Sequence, residues 1–380
     1  MSVSISVPAR LGAYYFAFFA YIGVVAPYLS LWLAARGYSA PQIAFVLAMP
    51  QLARVFAPTL WGWIADRTGW QRGIVVFTAF STLVGLSALH LTQSAGEVAA
   101  VMLVVSIIGA GSMPLVEAAA LMATRARPGS YGPVRLWGSI GFILTAVCTG
   151  VWLDYHGAST ILNILIGLSA LVLVAAFGIP PRESPPGEVA PASIGAVLAR
   201  AEVLAFFAAC MCMSVAHGAL YAFLSIHLEA AGYAKTAIGA LWMLGSAAEI
   251  AAFVFLPQLM RRYTLRALLL FSFACAAVRF VLIGWAVHVL ALLILALLLH
   301  AATFGLFHGA SLAAVHRFFA GRLEARGQAV YASLTYGIGG AAGTLIAGWA
   351  WETMGPGFAF SISALFGALG GAFIGWRVRV

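Results

Sequence analysis

Twelve apolar runs, each close to the ~20 residues a helix needs to cross a bilayer, occupy nearly all of this 380-residue chain. They fall at 12–34, 41–64, 73–91, 97–122, 134–153, 159–179, 203–228, 236–257, 267–286, 288–315, 328–350 and 357–376. Turn residues and charges separate them, as in RGYSAP at 36–41, DRTGWQR at 66–72 and RPGSYGP at 127–133. Hydrocarbon offers no hydrogen bonds to bare backbone, so the runs predict α-helices. The expected fold class is an all-α polytopic membrane protein with twelve transmembrane helices. Composition agrees: charged residues make up 8% of the chain, against roughly a quarter in a soluble domain.

Lys and Arg fix the orientation. With the N-terminus in the cytoplasm, 16 of the 20 fall in inner segments, two in outer loops (Arg36 and Lys235), and two within helices (Arg54 and Arg279). That bias places both termini inside. It also accounts for the net charge of +9 without nucleic acid as a partner. Arg10 precedes an apolar run too long for a signal-peptide core, which reads as a retained first helix. Cys148, Cys210, Cys212 and Cys275 all lie in apolar runs, where thiols act as small hydrophobes. No disulfide framework, metal site or cofactor is expected.

The stretch PPRESPPGEVAPASIGAVLARAE at 180–202 is too polar and proline-rich to span a membrane. It predicts a cytoplasmic linker over 181–202 between an N-terminal bundle (1–180) and a C-terminal bundle (203–380), each of six helices. The halves echo each other. A shift of 195 places Gly37-Tyr38 on Gly232-Tyr233, Ile43 on Ile238 and Arg54 on Glu249. Pseudo-symmetric parallel repeats of this kind are a transporter signature.

The run LWMLGSAAEIAAFVFL at 241–256 holds one carboxylate, Glu249. Arg54, Glu117 and Arg279 are likewise set in apolar segments. An ionised group at the bilayer centre costs ~2.5–3.5 kcal/mol, so four facing lipid would cancel a typical folding stability. They must face water, one another or the bundle interior. The alternatives are a purely architectural ion pair, Arg54–Glu249 or Arg279–Glu249, and a hydrated transport pathway in which the acid exchanges protons. His217 shares a helical face with Met213 and Tyr221, and His300 and His308 share one side of the tenth helix. Tyr14, Phe18, Tyr21, Tyr28 and Trp32 form one stripe on the first helix, suited to helix packing, an interfacial belt or a cavity wall. A cavity wall with Arg54 and Arg279 would suit a small aromatic acid.

The segment GWIADRTGWQR, from Gly62 through Asp66, Arg67 and Gly69 to Arg72, resembles the cytoplasmic loop motif of the major facilitator superfamily, Gly-x-x-x-Asp-Arg-x-Gly-x-x-Arg. MPLVEA at 113–118 and YGPVRLWGSIG at 131–141 resemble the sugar and nucleoside proton symporters, lactose permease among them. That likeness implies a sugar-binding acid and arginine at Glu117 and Arg135. The second half resembles the phenylpropionic acid permease branch, in AHGALYAF around His217, the run to Glu249, AVRF with Arg279, LHAATFGLFH with His300 and His308, and QAVYASL with Tyr331. Lactose permease has a carboxylate three residues after the position of His300, where this chain has Thr303. The permease's proton relay therefore does not carry over whole.

The resemblance implies the major facilitator fold and a proton-coupled symporter of the inner membrane, working by alternating access. The expected substrate is a small aromatic carboxylate such as 3-phenylpropionate. Proton coupling is expected at Glu249, Arg279, His300 and Glu117. Substrate binding is expected at Arg54, Glu117, Arg135, His217, Tyr221, His308 and Tyr331. The expected partners are the substrate, protons and the lipid bilayer, with the protein a monomer. Alternatives are a sugar or nucleoside symporter, a drug or metabolite efflux carrier, and a membrane sensor. An enzyme is not expected, because the chain has no nucleophile elbow, HExxH or phosphate loop.

Overall fold

A computed structural model of the protein describes residues 6–125, 131–181 and 194–379. Most of the expected linker, together with Arg127 and Arg182, lies outside the described residues. Within them the structure is helical and contains no strand. Twelve helices are long and apolar enough to cross a membrane: α1 Val7–Ala35, α2 Ala40–Thr68, α3 Gln71–Leu91, α4 Ala95–Thr124, α5 Tyr131–His156, α6 Ala158–Ala176, α7 Ala201–Ala230, α8 Lys235–Arg262, α9 Leu265–Trp285, α10 Leu290–Phe318, α11 Gly321–Met354 and α12 Pro356–Arg377. Each overlaps one of the expected apolar runs, with ends that differ by a few residues. Val254, Phe255, Trp349 and Trp376 are among the large apolar side chains left exposed, the arrangement expected of helices solvated by lipid.

Several of these helices are interrupted near the middle. Helix α2 breaks at 54–56, after Pro50 and just before Pro58. Proline removes a backbone donor and crowds the preceding turn. Arg54 N–H and Val55 N–H therefore bond only three residues back, to Gln51 and Leu52. Helix α4 breaks at Ala110–Gly111, ahead of Pro114. Helix α7 breaks at His217 without any proline. Helices α10 and α11 each carry a π-type stretch, Ala301–Leu306 and Ser333–Gly339. Inserted turns of this kind recur at functional sites.

Two compact units form. The first comprises Met1–Gly37, Phe56–Val189 and Ala234–Gly239. Its core has α1 laid against α5 and α6, with Tyr14, Tyr15, Val116, Val134 and Val172 at the centre. Gly141 makes the α1–α5 crossing possible, since a Cβ there would lie 2.3 Å from the Phe16 carbonyl oxygen. Small residues at such crossings are what let membrane helices touch. The start of α8 belongs to this unit. Both Asp154 carboxylate oxygens accept from it, Oδ1 from Lys235 N–H at 2.7 Å and Oδ2 from Thr236 N–H at 3.0 Å and its hydroxyl at 2.6 Å. Tyr28 donates to the Ala146 carbonyl at 2.7 Å beside it.

The second unit comprises Tyr38–Val55, Ala190–Tyr233 and Ala240–Val380. Here α9 and α7 pack on α12, and α11 receives the first half of α2. Ser333 donates to the Val55 carbonyl at 2.7 Å, which ties the break in α2 to the π-type stretch of α11. Residues 38–55 group with the later helices and 234–239 with the earlier ones.

Candidate functional site

The intramembrane charges sit where helices are interrupted or closely approached. Arg54 occupies the break of α2 and is exposed. His217 occupies the break of α7. His300 immediately precedes the π-type stretch of α10. Glu117 lies in the short segment of α4 that follows its break. Unwound turns put polar groups at membrane depth only where they face protein or water, which is also how transporters build binding sites.

In the second unit the centre of the site is Arg279, on α9 and 1% exposed. Its guanidinium donates through one nitrogen to Thr303 Oγ1 at 2.8 Å and faces His300 Nδ1 at 3.0 Å and His217 Nε2 at 3.4 Å. Its Nε makes no hydrogen bond. Arginine carries only donors, so the imidazole nitrogens facing it must be acceptors. His217 satisfies this because its other nitrogen, Nδ1, lies 2.8 Å from the Met213 carbonyl and must donate there. In His300 the acceptor is Nδ1, which leaves the proton on Nε2. That nitrogen is 3.6 Å from Glu249 Oε2. A hydroxyl and two imidazole nitrogens thus surround the buried guanidinium.

Glu249 reaches the cluster because α8 and α10 approach closely. A Cβ on Gly245 would lie 3.7 Å from the His300 ring, and one on Gly305 would lie 3.3 Å from the Glu249 carbonyl. Tyr221 stacks on His217 at 6.0 Å and extends toward Trp242 at 6.1 Å. Farther along α10, His308 Nδ1 lies 2.8 Å from the Tyr336 hydroxyl, which is 3.3 Å from that of buried Tyr331. Eight of the residues expected from sequence, Arg54, His217, Tyr221, Glu249, Arg279, His300, His308 and Tyr331, thus fall in this one unit.

Glu117 and Arg135 belong to the first unit. Both Glu117 carboxylate oxygens accept tyrosine hydroxyls, one from Tyr15 at 2.9 Å and the other from Tyr131. Arg135 lies over the Phe19 ring at 4.1 Å and the Tyr15 ring at 5.4 Å. The aromatic stripe of α1 divides: Tyr14, Tyr28 and Trp32 are buried, while Phe18 and Tyr21 stay half-buried. In the loop motif, Gly69 takes φ +67° to end α2, and Arg67 stacks on Trp63 at 4.3 Å. Arg72 donates to the Phe177 carbonyl at 2.8 Å. Gly62 has nothing within 4 Å of a built Cβ, so close helix approach is not its role in this arrangement.

Sequence reasoning missed Tyr15, Tyr131, Phe304 and Tyr336, and treated Thr303 only as a departure. The spacing of Tyr15 from the stripe was visible, but nothing marked which face of α1 meets Glu117. No group of three or more His, Cys, Asp or Glu arranged to hold a metal occurs among the described residues.

Comparison with known proteins gives the chain a family. Residues 9–362 match the model of the MFS_1 like family. The chain is 32% identical over 354 residues to the Escherichia coli K12 protein described as "Probable 3-phenylpropionic acid transporter", covering 90% of this chain and 91% of that one. It is 24% identical over 369 residues to the maltose permease of Geobacillus stearothermophilus, covering 94% and 91%. Its fold superposes on the crystal structure of the nucleoside transporter NupG with a TM-score of 0.83 at 18% identity, covering 98% and 99%. The chain therefore belongs to the MFS_1 like family of the major facilitator superfamily and is a multi-pass membrane transporter of the inner membrane.

Proposed function

We propose that the protein is a proton-coupled symporter that imports a small aromatic carboxylate, with Arg279 as the carboxylate seat and Glu249 as the proton carrier. The observation that carries this reading is the buried Arg279, held by Thr303, His217 and His300, with Glu249 joined to the same group through His300. Arginine's planar fork suits a carboxylate, and the uncharged acceptors around it leave its charge available to an anion. Tyr221 stacks on His217 and Phe304 on His300, the two imidazoles that face it, and Trp242 lies against Tyr221. The relative described as a phenylpropionic acid transporter supports the substrate class.

Coupling follows from charge. An ionised Glu249 and a substrate carboxylate would compete for one cationic cluster, so the anion binds best once Glu249 has taken a proton. Linkage makes the effect reciprocal: the bound anion favours the proton equally. The carrier reorients loaded with both, by rocking of two six-helix halves. An inward proton contributes ~2.3 kcal/mol per 100 mV of membrane potential. Substrate contacts in the first unit, at Glu117 and Arg135, are part of the same proposal. Cytoplasmic ends, a monomeric carrier and the loop residues Gly62, Asp66, Arg67, Gly69 and Arg72 as its conformational hinge complete it.

A second reading has one specific support. In the first unit a carboxylate bracketed by two tyrosine hydroxyls, next to an arginine stacked on Phe19, is chemistry suited to sugar or nucleoside hydroxyls. Purified protein in proteoliposomes, with an imposed inward proton gradient, separates the two. Accumulation of 3-phenylpropionate, with no accumulation of maltose or uridine, supports the carboxylate symporter. The opposite pattern assigns the protein to the second reading, and accumulation of none of them contradicts both.

A further inference from the structure

The rings of His300, Phe304 and His308 form a ladder along α10. His300 and Phe304 are 5.3 Å apart at 20°, and Phe304 and His308 are 6.1 Å apart at 10°. One end is fixed to Arg279 through His300. The other end meets Tyr336, whose hydroxyl bridges His308 Nδ1 and the hydroxyl of Tyr331. Tyr331 is buried, whereas Phe304, His308 and Tyr336 keep part of their surface open. The ladder therefore runs from a cationic end, across an apolar ring, to a polar end. Tyr336 lies in the π-type stretch of α11, and His308 follows that of α10 by two residues.

We infer that His308 and Tyr336 read a hydroxyl group on the substrate ring, remote from the carboxylate, so that the transporter selects hydroxylated aromatic acids over the unsubstituted acid. This rests on the carboxylate-symporter reading, with the acid at Arg279 and the ring against Phe304. A bare ring edge pressed on His308 and Tyr336 would strip their water and return no hydrogen bond, which is how polar sites reject analogues lacking a hydroxyl. A phenolic hydroxyl replaces that water, by donating to or accepting from the pair.

The test measures uptake of 3-phenylpropionate and of its 3-hydroxyphenyl and 4-hydroxyphenyl analogues in proteoliposomes under a fixed proton gradient, with KM determined for each acid. One hydrogen bond of ordinary strength predicts a KM about fivefold lower for at least one hydroxylated acid. Tyr336→Phe removes the preference, so that the KM of the hydroxylated acid no longer lies below that of the unsubstituted acid, and His308→Phe does the same. Equal KM values for all three acids in the unaltered protein overturn the inference while leaving the symporter reading standing. So does a variant that weakens all three equally, which assigns the pair to structure or proton movement. Accumulation of none of the acids overturns the symporter reading itself and this inference with it.

Discussion

Thr303 is fully buried and accepts a hydrogen bond from Arg279 at 2.8 Å. A carboxylate there would neutralise the arginine, whereas a hydroxyl leaves the charge for an incoming anion. Thr303→Val is therefore expected to raise the substrate KM about two- to tenfold, the worth of one hydrogen bond. Thr303→Glu is expected to abolish accumulation of the anion while the protein still folds, as checked by its melting temperature with and without substrate. Undiminished uptake by Thr303→Glu would show that Arg279 is not the seat. Arg54, Glu249 and Arg279 were legible in the sequence because a charge within an apolar run is anomalous, and the physics of the bilayer forces an explanation. Tyr15, Tyr131, Phe304 and Tyr336 were not, because an aromatic residue in a membrane helix is ordinary and only packing shows which ones touch a carboxylate or a histidine. His300 stands between the two charges expected to pair, with Nδ1 at 3.0 Å from Arg279 and Nε2 at 3.6 Å from Glu249.

At the scale of helices, the interruptions matter more than the spans. The breaks in α2 and α4 had a visible cause in Pro50, Pro58 and Pro114, whereas the break at His217 is marked only by the following Gly218, where the His217 ring lies 2.8 Å from the Met213 carbonyl. The π-type stretches likewise leave no mark in the apolar pattern, which counts length and not the winding of the turn. Two predictions belong here. Asp154 lies near the end of α5 and caps the first turn of α8 with both carboxylate oxygens. Asp154→Ala is expected to destabilise the protein by about 1 kcal/mol, the usual loss for such a cap, seen as a lower melting temperature in detergent. Gly141→Leu would drive a side chain into the Phe16 carbonyl, 2.3 Å from its Cβ. The expected cost is about 1–3 kcal/mol or a loss of folded protein. An unchanged melting temperature for either variant would show that the contact bears no weight.

For the molecule as a whole, twelve spans and the all-α fold were legible because lipid permits few alternatives. The grouping of residues 38–55 and 234–239 across the midpoint was not, since a repeat seen in sequence says which helices correspond and not which ones pack. The central claim is that Glu249 carries a proton together with an anion seated at Arg279. The most direct measurement is external pH when 3-phenylpropionate is added to proteoliposomes in weak buffer with no gradient imposed. The external medium is expected to become alkaline as proton and anion enter together. With Glu249→Gln, that signal is expected to vanish while labelled substrate still exchanges across the membrane. Full alkalinisation in Glu249→Gln, at the rate of the unaltered protein, would contradict the account.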